Sequence, residues 1–337
     1  MTQTSGSSST ETERPLFVVL GASGFIGSAV VGALAGRSCR IRAVSRRPAP
    51  PPPDGVAGYD AVQADLTDPA QLAASIAGAD AVIHLLLGDG GWRAAETDPA
   101  AGRVNVGVMS DLINLLHVPA GPPPALLYAG TTAQAGPHPG RALDGTEPDR
   151  PETRYDQQKL DAENLLKAAT HAGAVRGVSL RLPTVFGHGP VPDRGVVAAM
   201  VRRALAGEDL TVWGAGSVTR DLVYLPDVAA AFLAALDHAD ALAGRHWLVG
   251  SGHSRTLAEI FGAVSETVAE RTGRAPVPVI SVEPPAHATA SDAHGVTIDD
   301  SAFRSATGWR PRVPFRTALD ETVRALLHEP SARAATT

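Results

Sequence analysis

Short apolar runs alternate along the chain with longer stretches whose apolar residues recur at helical spacing. The runs predict strands at 16–20, 40–44, 61–63, 80–86, 125–129, 177–182 and 245–249. The helical pattern fills 25–35, 69–77, 99–117, 153–172, 196–206, 227–238, 256–271 and 317–327. Asp98-Pro99 opens the third helix, with Asp as cap and Pro at the first helical position. Such alternation predicts an α/β protein with a doubly wound, mostly parallel sheet covered on both faces. The Pro-rich stretches 48–53 and 119–124 read as loops, because the rhythm resumes directly after each. Past Phe186 it breaks into Gly- and Pro-rich segments, where a smaller, mainly C-terminal α/β substrate-binding portion is expected. The division expected is 15–187 with 220–250 for a dinucleotide-binding domain and 188–219 with 251–330 for the substrate portion, with tails at 1–14 and 331–337.

The first strand runs into Gly21-Ala22-Ser23-Gly24-Phe25-Ile26-Gly27 and then a helix. Gly21 permits a sharp turn, Gly24 a close approach of backbone to pyrophosphate, and Gly27 tight packing of helix on sheet. The free amides at the helix start point at the phosphates. A strand before and an amphipathic helix after make this a Rossmann-type dinucleotide turn rather than a bare glycine motif. The second strand ends in Ser45-Arg46-Arg47, with no carboxylate at its tip. Arginines there suit a ribose 2′-phosphate, so NADPH is expected over NADH.

Composition narrows the field. The chain has 337 residues and a net charge of −6, which gives no nucleic-acid surface. Its one cysteine, Cys39, forms no internal disulfide and has no Cys-x-x-Cys partner for metal. No apolar run reaches membrane-spanning length and no signal peptide is read, so a cytoplasmic protein without a membrane partner is expected.

The proton chemistry is expected from Tyr155 and Lys159, which share a helix face one turn apart. A free tyrosine titrates near about 10, and a neighbouring ammonium, aided by a positive oxidised nicotinamide, should lower that value. The same lysine can hold the nicotinamide ribose. At the end of the fifth strand stand Thr131 and Thr132, whose side chains point opposite ways in an extended chain. Either hydroxyl can hold a substrate oxygen beside the tyrosine.

With these motifs in place, residues 16–328 resemble the nucleotide-sugar branch of the extended short-chain dehydrogenases/reductases. Several further segments carry the likeness. Asp65-Leu66 stands where that family contacts the adenine, His84-Leu85-Leu86-Leu87 lines the cofactor, and Asn105 matches a family asparagine. Arg181-Leu182-Pro183-Thr184-Val185-Phe186-Gly187 looks like the segment joining cofactor and substrate sites. Trp213-Gly214-Ala215-Gly216 with Arg220-Asp221-Leu222-Val223-Tyr224 looks like the nucleotide-binding hairpin, and Gly308-Trp309-Arg310-Pro311 like the C-terminal signature. The resemblance implies cofactor contacts from Leu85, Leu86, Leu87, Asn105, Leu182 and Pro183. Substrate contacts are implied for Thr131, Thr132, Thr184, Trp213 and Arg220, the last on the diphosphate. Counting back from Gly136 makes Thr131 the catalytic hydroxyl.

The run 194–200, Ala-Leu-Ala-Gly-Glu at 204–208, Leu127-Tyr128-Ala129 with 132–135, and Trp92-Arg93 ahead of Asp98-Pro99 narrow the likeness to TDP-deoxysugar 4-ketoreductases of macrolide pathways. That implies reduction of a TDP-4-keto-2,6-dideoxyhexose with NADPH. Thr132-Ala133 replaces the Asp-Glu pair of sugar-nucleotide dehydratases, so elimination lacks its acid and base. A 4-epimerase would keep the same catalytic residues. A non-catalytic NADP(H)-binding regulator is the contrasting reading, and retention of Tyr155 and Lys159 opposes it. Dimerisation through helices 99–117 and 153–172 is common in the family, which makes a homodimer a candidate assembly.

Other residues are given plainer roles. His287, His294 and Asp292 fit no zinc spacing, so no metal is expected. His84 reads as a packed strand residue, Asp161 and Glu163 as a solvated helix face, and Leu86 and Leu87 as larger than the family's alanines.

Overall fold

The computed structural model describes residues 14–52, 55–88, 91–117, 122–189, 195–285 and 293–328. The expected tails, apart from Arg14, together with Arg194, His287 and Asp292, lie outside the described residues. A seven-stranded sheet is built from β1 (Leu16–Leu20), β2 (Arg40–Ser45), β3 (Gly58–Gln63), β4 (Ala81–His84), β5 (Ala125–Thr131), β6 (Arg176–Leu182) and β10 (His246–Leu248). Its order is β3-β2-β1-β4-β5-β6-β10, parallel at every pairing. The direction of winding reverses between β1 and β4. In open parallel sheets the ligand crevice lies at that switch, outside the carboxyl ends of the strands.

Both faces of this sheet are buried, which is why β1, β4 and β5 read as continuous apolar runs rather than alternating ones. On one face Val19, Ile83 and Leu127 pack against α1 (Phe25–Leu34) and α6 (Leu225–Asp237). On the other, Val18, Val82 and Leu126 meet α2 (Pro69–Ile76), α3 (Val108–Leu116) and α4 (Arg154–His171). The helix expected over 99–117 is not uniform: a π-helical turn, Arg103–Gly107, precedes α3.

A second core gathers α5 (Val196–Leu205), α7 (Leu257–Thr272) and α9 (Phe315–Leu327) around Phe186, Leu222 and Tyr224. Beside them lies a three-stranded sheet, β11 (Ser254–Thr256), β9 (Thr219–Tyr224) and β7 (Thr184–Phe186), in the order β11-β9-β7. A pair, β8 (Leu210–Trp213) with β12 (Val279–Val282), completes it. These five strands are three to six residues long and escape a period-two reading. The short α8 (Ser301–Thr307) escapes it too, and lays Phe303 against Trp309 and Trp247. Thus β9 lies in the smaller sheet, while α6 and β10 return the chain to the larger one.

Candidate active site

The glycine turn sits at the switch point. Gly21 has φ +86°, and its amide with that of Ala22 donates to the carbonyl of Val44. A Cβ at Gly21 would stand 2.9 Å from the Leu85 carbonyl oxygen, and one at Gly27 only 2.1 Å from that of Gly21. Side chains are excluded there by backbone, leaving a cradle that fits a dinucleotide pyrophosphate. Gly24 is the N-cap of α1, whose first turn carries no acidic residue and no side-chain cap. The positive end of the helix is therefore not neutralised from within its own first turn. Ser23 and Phe25 flank this cradle half-exposed, and Ile26 packs toward the α1–α6 side of the sheet.

At the tip of β2, Ser45 is buried and its hydroxyl donates to the Arg47 carbonyl at 2.6 Å. That turn presents Arg46 and Arg47 outward, and Gln63 Nε2 holds the Arg46 carbonyl at 3.0 Å. Exposed Asp65 accepts from the Thr67 hydroxyl and amide, bonds that hold its carboxyl below the usual range. Leu66 is buried with Leu72 and Ile76 in the core on one face of the sheet. Leu86 Cδ2 lies 3.4 Å from where a Cβ on Gly21 would stand, and Leu87 is 45% exposed.

The catalytic candidates come from α4 and β5. Thr153 caps α4 by accepting the Asp156 amide at 3.1 Å. One turn in, Lys159 is buried, donates to the Ala129 carbonyl at 2.9 Å and lies 4.7 Å from the Tyr128 ring centroid. Its Nζ is 5.8 Å from the centroid of Tyr155. Burial brings the Lys159 ammonium down to about 8. The expectation of a lowered Tyr155 is overturned, because burial, then the charge of Asp156, raises its phenol above the ordinary value. Desolvation outweighs an ammonium held at that distance.

Two further buried polar groups stand near these residues, His84 against Tyr128 and Asn105 against Gln158. His84 meets Tyr128 edge-on at 5.3 Å, and its Nδ1 accepts the Leu86 amide at 3.3 Å. Burial, followed by the charge of Lys159, takes the imidazole down to about 3, so it is neutral near pH 7. Buried Asn105, in the π-helical turn, donates to Gln158 Oε1 at 2.8 Å. Asn105 Oδ1 and His84 Nε2 are buried polar atoms lacking a hydrogen-bond partner among the described residues. Interrupted helices of this kind recur at functional sites.

Thr131 ends β5 half-exposed, whereas Thr132 is buried. The Thr131 hydroxyl oxygen accepts the Ala133 amide at 3.3 Å, which leaves its own proton free to donate. Its amide donates to Gln134 Oε1 at 2.7 Å. Gln134 Nε2 in turn donates to Glu163 Oε2 at 2.9 Å.

Glu163 is thereby corrected from a solvated face to a buried hub. It is 0% exposed and accepts from Ser179 at 2.7 Å, from Arg181 at 2.7 and 3.1 Å, and from Lys167 at 2.6 Å. Burial alone would raise its carboxyl. Hydrogen bonds from His246 and Arg181, with the charges of Arg181 and Lys167, hold it far below the carboxylate range instead. The sequence held one signal for this: residues 155, 159 and 163 follow at i, i+4, i+8 and share a face. Asp161, on another face, is exposed as expected.

Of the residues expected at the cofactor, Leu182 is buried and Pro183 half-exposed, and Thr184, Trp213 and Arg220, expected at the substrate, are half-exposed. Arg220 donates to the carbonyls of Thr219 at 3.0 Å and His294 at 2.6 Å. Among the described residues no group of three or more ligating side chains is placed to hold a metal, and Cys39 is buried as a free thiol. No described helix is long and apolar enough to cross a membrane.

Comparison with known proteins bears on this arrangement. A dTDP-6-deoxy-L-talose 4-dehydrogenase (NAD(P)+) from Kitasatospora kifunensis is 30% identical over 312 residues, 90% of this chain and 93% of that protein. A UDP-glucose 4-epimerase from Mycolicibacterium smegmatis is 30% identical over 135 residues, 40% of this chain and 39% of that one. Among solved structures, MoeE5 in complex with UDP-glucose and NAD superimposes with a TM-score of 0.78 at 25% identity, covering 91% of this chain and 97% of its own. Residues 17–250 match the model of the NAD dependent epimerase/dehydratase family. With a sheet wound around a dinucleotide cradle and a C-terminal substrate-binding portion, the chain belongs to the NAD dependent epimerase/dehydratase family.

Proposed function

We propose that the protein is an NAD(P)-dependent oxidoreductase acting at the C4 carbinol or carbonyl of a nucleotide-linked hexose. The observation that carries this reading is Lys159, which bonds the Ala129 carbonyl near the carboxyl end of β5 and lies 5.8 Å from the Tyr155 ring centroid, with Thr131 two residues further along the strand and the glycine cradle following β1, two strands away. A bound nicotinamide dinucleotide supplies the hydride chemistry. The phenol of Tyr155, raised by burial, keeps its proton at neutral pH and is suited to donate it to an oxygen becoming an alkoxide. Thr131 orients that oxygen with its free hydroxyl proton, and Lys159 places a positive charge near the phenol and holds the ribose.

Two net reactions use these groups. In 4-epimerisation the hydride is removed and returned to the opposite face, so no cofactor is consumed. The family match over 17–250 and the similarity to the UDP-glucose 4-epimerase from Mycolicibacterium smegmatis support that outcome. Net 4-keto reduction, with NADPH and a TDP-4-keto-deoxysugar, is supported by the relative aligned over 93% of its length and by Arg46 and Arg47 after β2. The missing acid pair after Thr131 speaks against dehydration in either case.

The deciding experiment incubates purified protein with UDP-glucose, and separately with TDP-4-keto-2,6-dideoxyglucose and NADPH or NADH. Product sugars are identified and reduced-nicotinamide absorbance is followed. Interconversion at C4 without cofactor loss identifies an epimerase, and stoichiometric cofactor loss with a new 4-hydroxyl identifies a reductase. Cofactor binding without either reaction across related sugars overturns the enzymatic reading.

A further inference from the structure

A cavity of about 360 Å³ opens between the C-terminal half of β9, the loop entering β11 and the segment leading into α9. Its lining includes Arg255, Arg304, Arg310 and Arg312, and contains neither a residue of the glycine turn nor Thr131, Tyr155, Lys159 or Arg220. It is therefore a different place from the proposed catalytic site, and its reading does not depend on that chemistry.

The cavity concentrates positive charge on a chain whose net charge is −6. Arg304 is paired with Asp300 at 2.5 Å. Among the described residues, the guanidinium groups of Arg255, Arg310 and Arg312 have no carboxylate within ion-pair distance. One acid, Asp227, lines the wall, and its oxygens are taken by the amides of Arg312 at 2.9 Å and Val313 at 3.3 Å. Those bonds, with Trp309 Nε1 donating to the Asp227 carbonyl at 3.1 Å, pin residues 309–313 to the start of α6. Arg310 and Arg312 are thus presented from an anchored segment rather than a loose one.

The floor is apolar and partly aromatic, with Phe186, Leu222 and Phe315. The Arg255 guanidinium stands 4.5 Å from the Phe315 ring centroid, which holds its planar fork in place without using its donors on protein acceptors. Arginine forks without a carboxylate partner among the described residues, above an apolar floor and in a volume within the small-ligand range, match a phosphate-bearing metabolite.

We infer that this cavity is a second, non-catalytic binding site for a phosphorylated small molecule, with the phosphates held by Arg255, Arg310 and Arg312. The test is calorimetric titration of the full chain with inorganic pyrophosphate, comparing wild type, the double variant Arg310→Ala/Arg312→Ala, and Arg220→Ala. The double variant is expected to weaken pyrophosphate binding roughly tenfold or more, while Arg220→Ala, whose side chain lies outside this cavity, retains the component of binding that the double variant loses. Unchanged dinucleotide binding by the double variant shows that it remains folded. Pyrophosphate bound equally by wild type and the double variant overturns the inference, as does no binding to wild type at millimolar concentration or loss of all binding in Arg220→Ala.

Discussion

Thr131 is tied to Glu163 through one side chain: Gln134 accepts the Thr131 amide at 2.7 Å and donates to the Glu163 carboxylate at 2.9 Å. A residue at the mouth of the site is positioned by a charge buried beneath the sheet. Replacing Gln134 with Leu removes the acceptor of the Thr131 amide and one of three donors to Glu163 Oε2, and puts an apolar side chain beside a buried carboxylate. The expected cost is about 2–4 kcal/mol in denaturant unfolding, together with a fall in kcat larger than any change in cofactor affinity.

Glu163→Ala strips Arg181, 1% exposed, of its principal counter-charge. Loss of about 3–5 kcal/mol is expected in chemical denaturation at pH 7. Folded Glu163 titrates far below an unfolded glutamate, so its stabilisation is present at neutral pH and disappears as pH falls through the acid range. The variant and wild type should therefore converge in stability toward low pH.

Tyr155→Phe removes the proposed proton donor without opening a cavity. Turnover is expected to fall by roughly a hundredfold or more, with cofactor binding and the melting midpoint close to wild type. Near-normal turnover in this variant excludes Tyr155 as the acid.

Lys159 titrates near 8 in the folded protein, against about 10.4 for a free lysine. Below pH 8 it is an ammonium able to hold the ribose. As pH rises through 8 the folded chain loses that proton while the unfolded chain keeps it, so folded stability rises even as cofactor affinity falls. Fluorescence titration of the dinucleotide from pH 7 to about 9.5 should show weakening in wild type and a flat profile in Lys159→Met. A flat wild-type profile counts against this role.

Asp221 is 1% exposed, accepts the Ser251 amide at 2.8 Å through one oxygen, and has no partner for the other among the described residues. Burial, with a contribution from the charge of Asp300, pushes its carboxyl up to about 6. The folded chain therefore holds this proton more tightly than the unfolded one, and stability is lost as pH rises between about 4 and 6. Asp221→Asn is expected to be more stable than wild type by about 1–3 kcal/mol at pH 7.5 and equal to it near pH 4, read from denaturant melts.

Features with a strictly local cause are legible in the order of residues. Gly21 and Gly27 are required by a positive φ and by backbone oxygens within 2.9 Å of any Cβ, constraints that only glycine meets without strain. Tyr155 and Lys159 share a face because helical spacing puts them there, and the doubly buried strands show as unbroken apolar runs. The short strands β7, β8, β9, β11 and β12 are not legible in the same way, since too few residues repeat for a period to emerge.

Burial does not follow from spacing. Glu163 looks like one more charged helix residue until Gln134, Ser179, Arg181 and His246, drawn from a turn, β6 and the edge strand β10, close over it. The same holds for the titrations. Residue order alone establishes which groups stand on the catalytic face and that a dinucleotide cradle precedes them. The direction in which Tyr155 and Lys159 shift is set by packing, because desolvation depends on everything that surrounds a group, and here it outweighs the one charge that spacing along the helix reveals.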